Sequence, residues 1–179
     1  MISDNQTVRH NYFEGLKGDR NRSALTIMNG VPNSPAHRYN QVINANILNN
    51  TFVENSTITF GAGANEELSL APISSTFSDN LLIANEPNVF VFNAPIDGIT
   101  SSNNLIDQPH LNAAELSGFE VRSDIEMTRA ENGLLYPNDT SDIGIQENIS
   151  IPSRADTGPI WFSKPDKRTS SQLEADRNR

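Results

Sequence analysis

The chain of 179 residues contains no cysteine, and it has no Lys or Arg between Gln41 and Val121. The absence of cysteine excludes disulfides and cysteine-based metal sites. No run of about 18 apolar residues occurs, so the sequence predicts no transmembrane helix. The N-terminal segment lacks the basic and apolar regions of a secretory signal, which leaves the localisation open.

Charge is distributed unevenly along the chain. The formal net charge is −9, and an acidic body argues against nucleic-acid binding, which needs a basic surface. Basic side chains are concentrated before residue 41, at Arg9, Lys17, Arg20, Arg22 and Arg38. Such a local cluster suits a small anionic target. The alternative is that surface charges fall unevenly by chance.

One short phrase recurs four times among runs rich in Val, Ile, Phe and Thr, which predict strands. A polar residue precedes Asn, any residue follows, and a large apolar residue comes next. The four copies are His10–Phe13, Asn49–Phe52, Asp79–Leu82 and Asn103–Ile106. Their Asn residues are 39, 30 and 24 positions apart. This spacing is typical of a solenoid whose coils carry loop insertions.

A parallel β-helix explains this repeat. Where the same turn recurs in every coil, Asn side chains stack as an amide ladder between strands about 4.8 Å apart. A β-sandwich with Asn-rich turns is the alternative, but it leaves the phrase unexplained. We therefore predict an all-β, single-stranded parallel β-helix over residues 1–130. Residues 131–167 are predicted to be an irregular tail packed on the solenoid, and residues 168–179 to be disordered.

Familiar catalytic signatures are absent from the sequence. It has no phosphate-binding loop, dinucleotide fingerprint, zinc-protease motif or serine-hydrolase elbow. The three histidines, His10, His37 and His110, lack metal-ligand spacing. By itself the sequence is therefore compatible with a non-catalytic carbohydrate-binding or structural β-helix.

Several segments together resemble polysaccharide lyase family six, the family of alginate lyases and chondroitinase B. The distinctive segments are Asn11–Gly18, Arg22–Gly30, Arg38–Tyr39 and Asn46–Phe52, and looser similarity extends to Thr157–Phe162. The resemblance implies a right-handed parallel β-helix, usually secreted or periplasmic, that cleaves acidic polysaccharides by β-elimination. It also implies a calcium ion that neutralises the uronate carboxylate, a Lys base and an Arg. Such positive charge stabilises the negative charge that develops in the reaction.

The resemblance also implies which of these parts are missing. In the family, the Lys, the Arg and the calcium ligands precede the segment that Asn11–Phe13 matches. We therefore expect a β-helix truncated at its N-terminal end, with no catalytic residue and no metal ligand in this chain. Lys17 lies in a predicted turn and is not assigned as the base. The exposed first coil predicts self-association, because solenoids need caps.

What the resemblance carries over is binding of an acidic polysaccharide, namely alginate, with chondroitin or dermatan as alternatives. Arg22 lies in a family motif, and a bidentate Arg suits a carboxylate. A surface ion pair with Asp19 or Glu14 is the alternative role for Arg22. Three further candidates follow the Pro-Asn-Ser-Pro loop, and loop anchoring is their alternative role: His37, Arg38 and Tyr39.

Overall fold

The computed structural model describes residues 1–17, 23–35, 37–84, 88–108 and 116–138. Its strands are β1 (Thr7–Arg9), β2 (Tyr12–Glu14), β3 (Ser23–Met28), β4 (Asn46–Leu48), β5 (Thr51–Val53), β6 (Thr57–Ala62), β7 (Ser75–Ser78), β8 (Leu81–Ile83), β9 (Phe90–Phe92), β10 (Ile99–Ser102), β11 (Asn104–Ile106), β12 (Phe119–Val121), β13 (Met127–Arg129) and β14 (Leu135–Pro137). Among the described residues, no helix is long and apolar enough to cross a membrane.

Strands β1 to β12 form three parallel sheets. Sheet A has the order β1-β4-β7-β10, sheet B the order β2-β5-β8-β11-β12, and sheet C the order β3-β6-β9. Each coil contributes a strand to the sheets in turn, and Val8, Ile47 and Phe77 share one level of sheet A. The predicted parallel β-helix is confirmed. A β-sandwich would pair its strands antiparallel.

The recurring phrase forms the turn between sheets A and B. Its first residue has a left-handed backbone in every copy, with φ between 53° and 56° at His10, Asn49, Asp79 and Asn103. Asn, Asp and His adopt this conformation several times more often than other residues with a side chain. The polar residue of the phrase is therefore a requirement of the turn.

The Asn residues of the phrase form the predicted amide ladder. Asn50 donates from Nδ2 to Asn80 Oδ1 (3.0 Å) and to the carbonyl of Val8 (2.9 Å). Asn80 donates in the same way to Asn104 Oδ1 (3.0 Å) and to the carbonyl of Ile47 (3.1 Å). Asn50, Asn80 and Asn104 are fully buried. Their hydrogen bonds remove the cost of burying unpaired amides.

The space inside the coils is filled by stacked apolar side chains. The rings of Phe13 and Phe52, on successive coils, stack with centroids 4.8 Å apart. Phe77 is fully buried and contacts Phe52, Phe60 and Phe90. Because these aromatic side chains bury large apolar areas, the core contributes strongly to holding the coils together.

Strands β13 and β14 form an antiparallel hairpin after the last parallel strand. Met127 packs against Leu81 and Leu105, which alternate with the core residues of sheet B and so lie on its outer face. The predicted boundary between residues 130 and 131 falls within this hairpin, and the division into domains stays a prediction. Residues 139–179 of the predicted tail lie outside the described residues.

A small set of side chains fastens the hairpin to the first coil, and we call it the clasp: Tyr12, Glu14, Arg129 and Leu135. The backbone N–H of Leu135 donates to Tyr12 Oη (3.1 Å). Arg129 donates to both carboxylate oxygens of Glu14, at 3.2 Å for Oε2. Tyr12 Oη donates to the same Oε2 (3.0 Å). The carboxylate of Glu14 is thus the centre of the clasp.

Candidate functional site

Two insertions leave the coils at the corner between sheets C and A. Residues 31–40 follow β3, and residues 63–70 follow β6 in the next coil. An antiparallel bridge joins their bases, since the N–H of Gly30 donates to the carbonyl of Leu70 (2.8 Å) and Leu70 donates back (3.0 Å). Buried Asn29 donates from Nδ2 to the carbonyl of Leu68 (3.0 Å). The two insertions therefore lie side by side.

Gly30 fixes the base of the first insertion. A Cβ at this position would lie 2.5 Å from the Cα of Gln41, a separation that side-chain atoms do not tolerate. The missing side chain lets the two ends of the insertion meet, and the N–H of Val31 donates to the carbonyl of Tyr39 (2.8 Å). The two ends of the first insertion, Val31 and Tyr39, therefore lie close together, as in a compact surface loop.

A cavity of about 450 Å³ lies between the two insertions. The first insertion contributes His37, Arg38 and Tyr39, and the second contributes Glu67 and Leu68. Tyr39 keeps 44% of its surface exposed, so its side chain is available to a ligand. The volume falls within the range of about 300–1,000 Å³ that is usual for small-molecule sites.

The side chains around the cavity suit a sugar that carries an acid group. The guanidinium of Arg38 presents paired donors that match a carboxylate. Tyr39 offers an apolar ring together with a hydroxyl group, and Asn33 and Ser34 add polar groups for sugar hydroxyls. Glu67 brings one negative charge to the same cavity. This charge would favour ligands whose carboxylate lies on the Arg38 side.

The described residues do not fit the calcium ion that the family resemblance implies. Over residues 1–17, 23–35, 37–84, 88–108 and 116–138, no group of three or more His, Asp or Glu side chains could hold a metal ion. Hard cations such as Ca²⁺ take six to eight oxygen ligands, several of them carboxylates. Glu67 alone at the cavity does not meet this demand.

Three of the four predicted binding residues, His37, Arg38 and Tyr39, line the cavity. Their role in binding a substrate stays a prediction. Arg22 lies outside the described residues. Its neighbour in the sequence, Ser23, is the first residue of β3, whereas the insertion with the other three follows the last.

The sequence did not single out Glu67 as a residue of this site. The available signal was indirect. Both insertions follow a strand of sheet C in successive coils, and stacked coils place equivalent loops next to each other. That Glu67 and Arg38 line one cavity depends on the register of the coils at the corner between sheets C and A, whereas the Asn spacing gives the register at the corner between sheets A and B.

Comparison with known proteins gives a family model and two solved structures. Residues 1–151 match the model of the chondroitinase B family. The structure is similar to a PL6 family alginate lyase, AlyGC, with a TM-score of 0.72 and 44% identity over 80% of this chain and 20% of that one. A mutant of AlyGC gives a TM-score of 0.73 and 38% identity over 93% and 23% of the two chains. The chain thus spans about one fifth of these structures. A comparison with curated proteins finds no significant match.

Proposed function

The chain belongs to polysaccharide lyase family six, the family of chondroitinase B, and from this premise we propose that it forms part of the substrate groove of a lyase for an acidic, uronate-containing polysaccharide such as alginate. In this proposal the Lys base, the Arg and the calcium ligands of the eliminative reaction are not among its residues. The observation that carries the proposal is the grouping of His37, Arg38 and Tyr39 around one cavity.

The position of the cavity supports an extended binding surface. Strand β3 has six residues, which span about 20 Å at a rise of roughly 3.3 Å per residue. Arg22 precedes the first residue of β3, and the cavity follows the last. We therefore assign Arg22 and Arg38 to different sugar units of one oligosaccharide. A longer oligosaccharide should then bind more tightly than a short one.

Binding of alginate oligosaccharides tests the role of the cavity directly. We expect Arg38→Ala to weaken binding about tenfold or more, because a hydrogen bond to a charged group contributes roughly 1.5–3 kcal/mol. Calorimetric titration of the purified chain measures the change. Arg122→Ala is the matched control, since Arg122 lies next to β12 and pairs with Asp124 (2.8 Å). Equal affinity for acidic and neutral oligosaccharides would contradict the proposed binding of uronates.

Catalysis by the chain alone tests the assignment of the missing groups. Eliminative cleavage makes an unsaturated uronate, which absorbs ultraviolet light. We expect no such signal when the purified chain is mixed with alginate. Turnover at a rate normal for lyases would show that the chemical groups lie within this chain after all.

A non-catalytic carbohydrate-binding or structural module is the second candidate. The cavity favours a module that binds carbohydrate over a purely structural one. A binding module also needs side chains such as Arg38 and Tyr39 on a closed loop. Such a module would bind the same oligosaccharides but would yield no unsaturated product even together with the remaining coils of a family member.

The proposal further includes self-association through the edges of β1 and β2, the end strands of sheets A and B.

A further inference from the structure

Two charged side chains of opposite sign line the cavity between the insertions. Arg38 belongs to the insertion that follows β3, and Glu67 belongs to the one that follows β6. Among the described residues, neither of these side chains forms an ion pair or a hydrogen bond. The guanidinium and the carboxylate are therefore both available to a bound ligand.

The backbone of the second insertion holds Glu67 beside the cavity. Asn65 Oδ1 accepts hydrogen bonds from the N–H groups of Glu67 and Leu68, both at 2.8 Å. The carbonyl of Leu68 accepts in turn from Nδ2 of the buried Asn29 (3.0 Å), which directly follows β3. The backbone that carries the Glu67 carboxylate is thus bonded within its own loop and to the neighbouring coil. Its negative charge is therefore a built part of the cavity.

The rest of the described lining offers little to a second anion. Apart from His37, the remaining side chains are neutral polar groups or apolar, and the apolar ones are Ile2, Val31, Pro35 and Leu68. The second insertion contains no Lys or Arg. Among the described residues that line the cavity, Arg38 is therefore the one Lys or Arg side chain.

This pattern of charge accommodates one anionic group and disfavours another. Arg38 can pair with a single uronate carboxylate through its paired donors. A sulfate ester on the same sugar unit would bring a further negative charge close to Glu67, among neutral and apolar side chains. Removing a charge from water without a partner is costly, and sites commonly reject a wrong ligand through an unpaired or like charge of this kind.

We propose that Glu67 is a specificity-determining residue, which favours a sugar unit with one carboxylate over a unit that also carries a sulfate ester. The inference rests on the proposed function, since it requires that the cavity binds a uronate. It narrows the acidic polysaccharide to an unsulfated polymer. Alginate or unsulfated chondroitin meets this requirement, whereas a sulfated chondroitin or dermatan does not.

Titration with matched oligosaccharides tests the role of Glu67. The probes are an unmodified alginate tetrasaccharide and the same tetrasaccharide carrying sulfate esters, and calorimetry of the full chain at low ionic strength gives a Kd for each. We expect the unmodified probe to bind more tightly. In Glu67→Gln the ratio of the sulfated to the unmodified Kd should fall about threefold, the factor expected for two unit charges about 6 Å apart in water.

Glu66→Gln is the matched control. Glu66 is exposed like Glu67 and carries the same charge, but it is not among the residues that line the cavity. Its substitution should leave the ratio of the Kd values nearly unchanged. Salt separates repulsion between charges from a change in loop shape, because the Debye length falls from about 10 Å at 0.1 M to about 3 Å at 1 M. The unchanged chain should therefore discriminate less in about 1 M salt.

Circular dichroism establishes that both variants are folded. Four results would overturn this inference alone: equal or tighter binding of the sulfated probe by the unchanged chain, the same ratio in the unchanged chain and Glu67→Gln, an equal fall in Glu66→Gln, or discrimination that salt does not weaken. In each of them the unmodified probe still binds, so the proposed function stands. Failure of the unmodified probe to bind would refute the proposed function, and this inference with it.

Discussion

At the scale of single residues, the fold depends on one backbone conformation repeated at four positions. The side chains there are His, Asn, Asp and Asn, yet their φ angles agree within a few degrees. What these residues share is a tolerance for positive φ. Because the turn directs the chain from sheet A to sheet B, this tolerance determines where each coil bends.

Substitutions at Asn49 test this requirement. Val carries a branched Cβ that a left-handed backbone does not accommodate, so Asn49→Val should lower the free energy of unfolding by about 1–3 kcal/mol. Asn49→Gly should be close to neutral, because glycine has no Cβ. Urea unfolding followed by circular dichroism measures both. As a control, Asn46→Val places the same side chain within β4, where branched residues are favourable. Equal unfolding midpoints for the Val and Gly variants at position 49 would refute the requirement.

The sequence predicted the stacking of Asn11, Asn50, Asn80 and Asn104, but it did not predict the left-handed residue before each of them. The signal was present in the polar first position of the phrase. It went unused because a polar residue before Asn is also what any exposed turn contains. Only the φ angles distinguish the two explanations.

At the scale of structural elements, the ladder connects coils that their strands alone would join more weakly. Asn80 lies in the interior of the ladder, where its amide donates to Ile47 and Asn104 and accepts twice from Asn50. Every one of these groups is buried. The ladder therefore acts across three coils at once.

Removing one amide from the ladder should destabilise the whole stack. We expect Asn80→Ala to lower the free energy of unfolding by about 3 kcal/mol or more, because each buried polar group left unpaired costs roughly 1–3 kcal/mol. Asn46→Ala is the control, with an expected change below about 0.5 kcal/mol, because the hydrogen bond from the Asn46 amide to the carbonyl of Asn44 is exposed to solvent. Chemical denaturation gives both values. A loss at Asn80 as small as that at Asn46 would show that the ladder contributes little.

The loop insertions were only partly predictable from the sequence. The excess length of the first two Asn intervals predicted insertions in those coils, and the structure places loops there. The antiparallel bridge between Gly30 and Leu70 was not predictable. It joins residues on different coils through backbone groups, so no side-chain pattern marks it. The cavity lies between the two insertions that this bridge joins. The sequence therefore predicted residues of the cavity but not its shape.

At the scale of the whole molecule, the clasp makes the attachment of the hairpin depend on pH. The hydrogen bond from Arg129 holds the pKa of Glu14 below its ordinary value. A carboxylate with a lowered pKa stabilises the folded state above its unfolded pKa, and this contribution is lost as the pH falls through the folded value. Burial raises the pKa of Tyr12, so Tyr12 keeps its proton throughout.

We therefore expect the hairpin to loosen as the pH falls below the ordinary range of Glu. The amide proton of Leu135, which donates to Tyr12, should shift in NMR spectra with the titration of Glu14. In Glu14→Gln this dependence should vanish. Asp124→Asn is the control, because Asp124 pairs with Arg122 outside the clasp. A Leu135 signal that titrates identically with and without Glu14 would contradict the role of the clasp.

The parallel β-helix as a whole was predictable because the same phrase recurs in the sequence once in each coil. The clasp was not predictable in this way. Glu14 and Arg129 are 115 positions apart, and neither belongs to a repeated phrase. Contacts between one early and one late residue leave no periodic signal, so they become visible only when the coils have been stacked.

The clasp also changes how a solenoid comes apart. In a linear stack each coil touches only its neighbours, so the terminal coils fray first. Here Arg129 binds Glu14 of the first coil, so the hairpin holds the first coil in addition to the contacts with the second coil. We therefore expect the two ends to unfold together. The clasp closes a loop between Glu14 and Arg129, and closing this loop before the intervening coils have folded is entropically costly. We therefore expect the clasp to form last during folding.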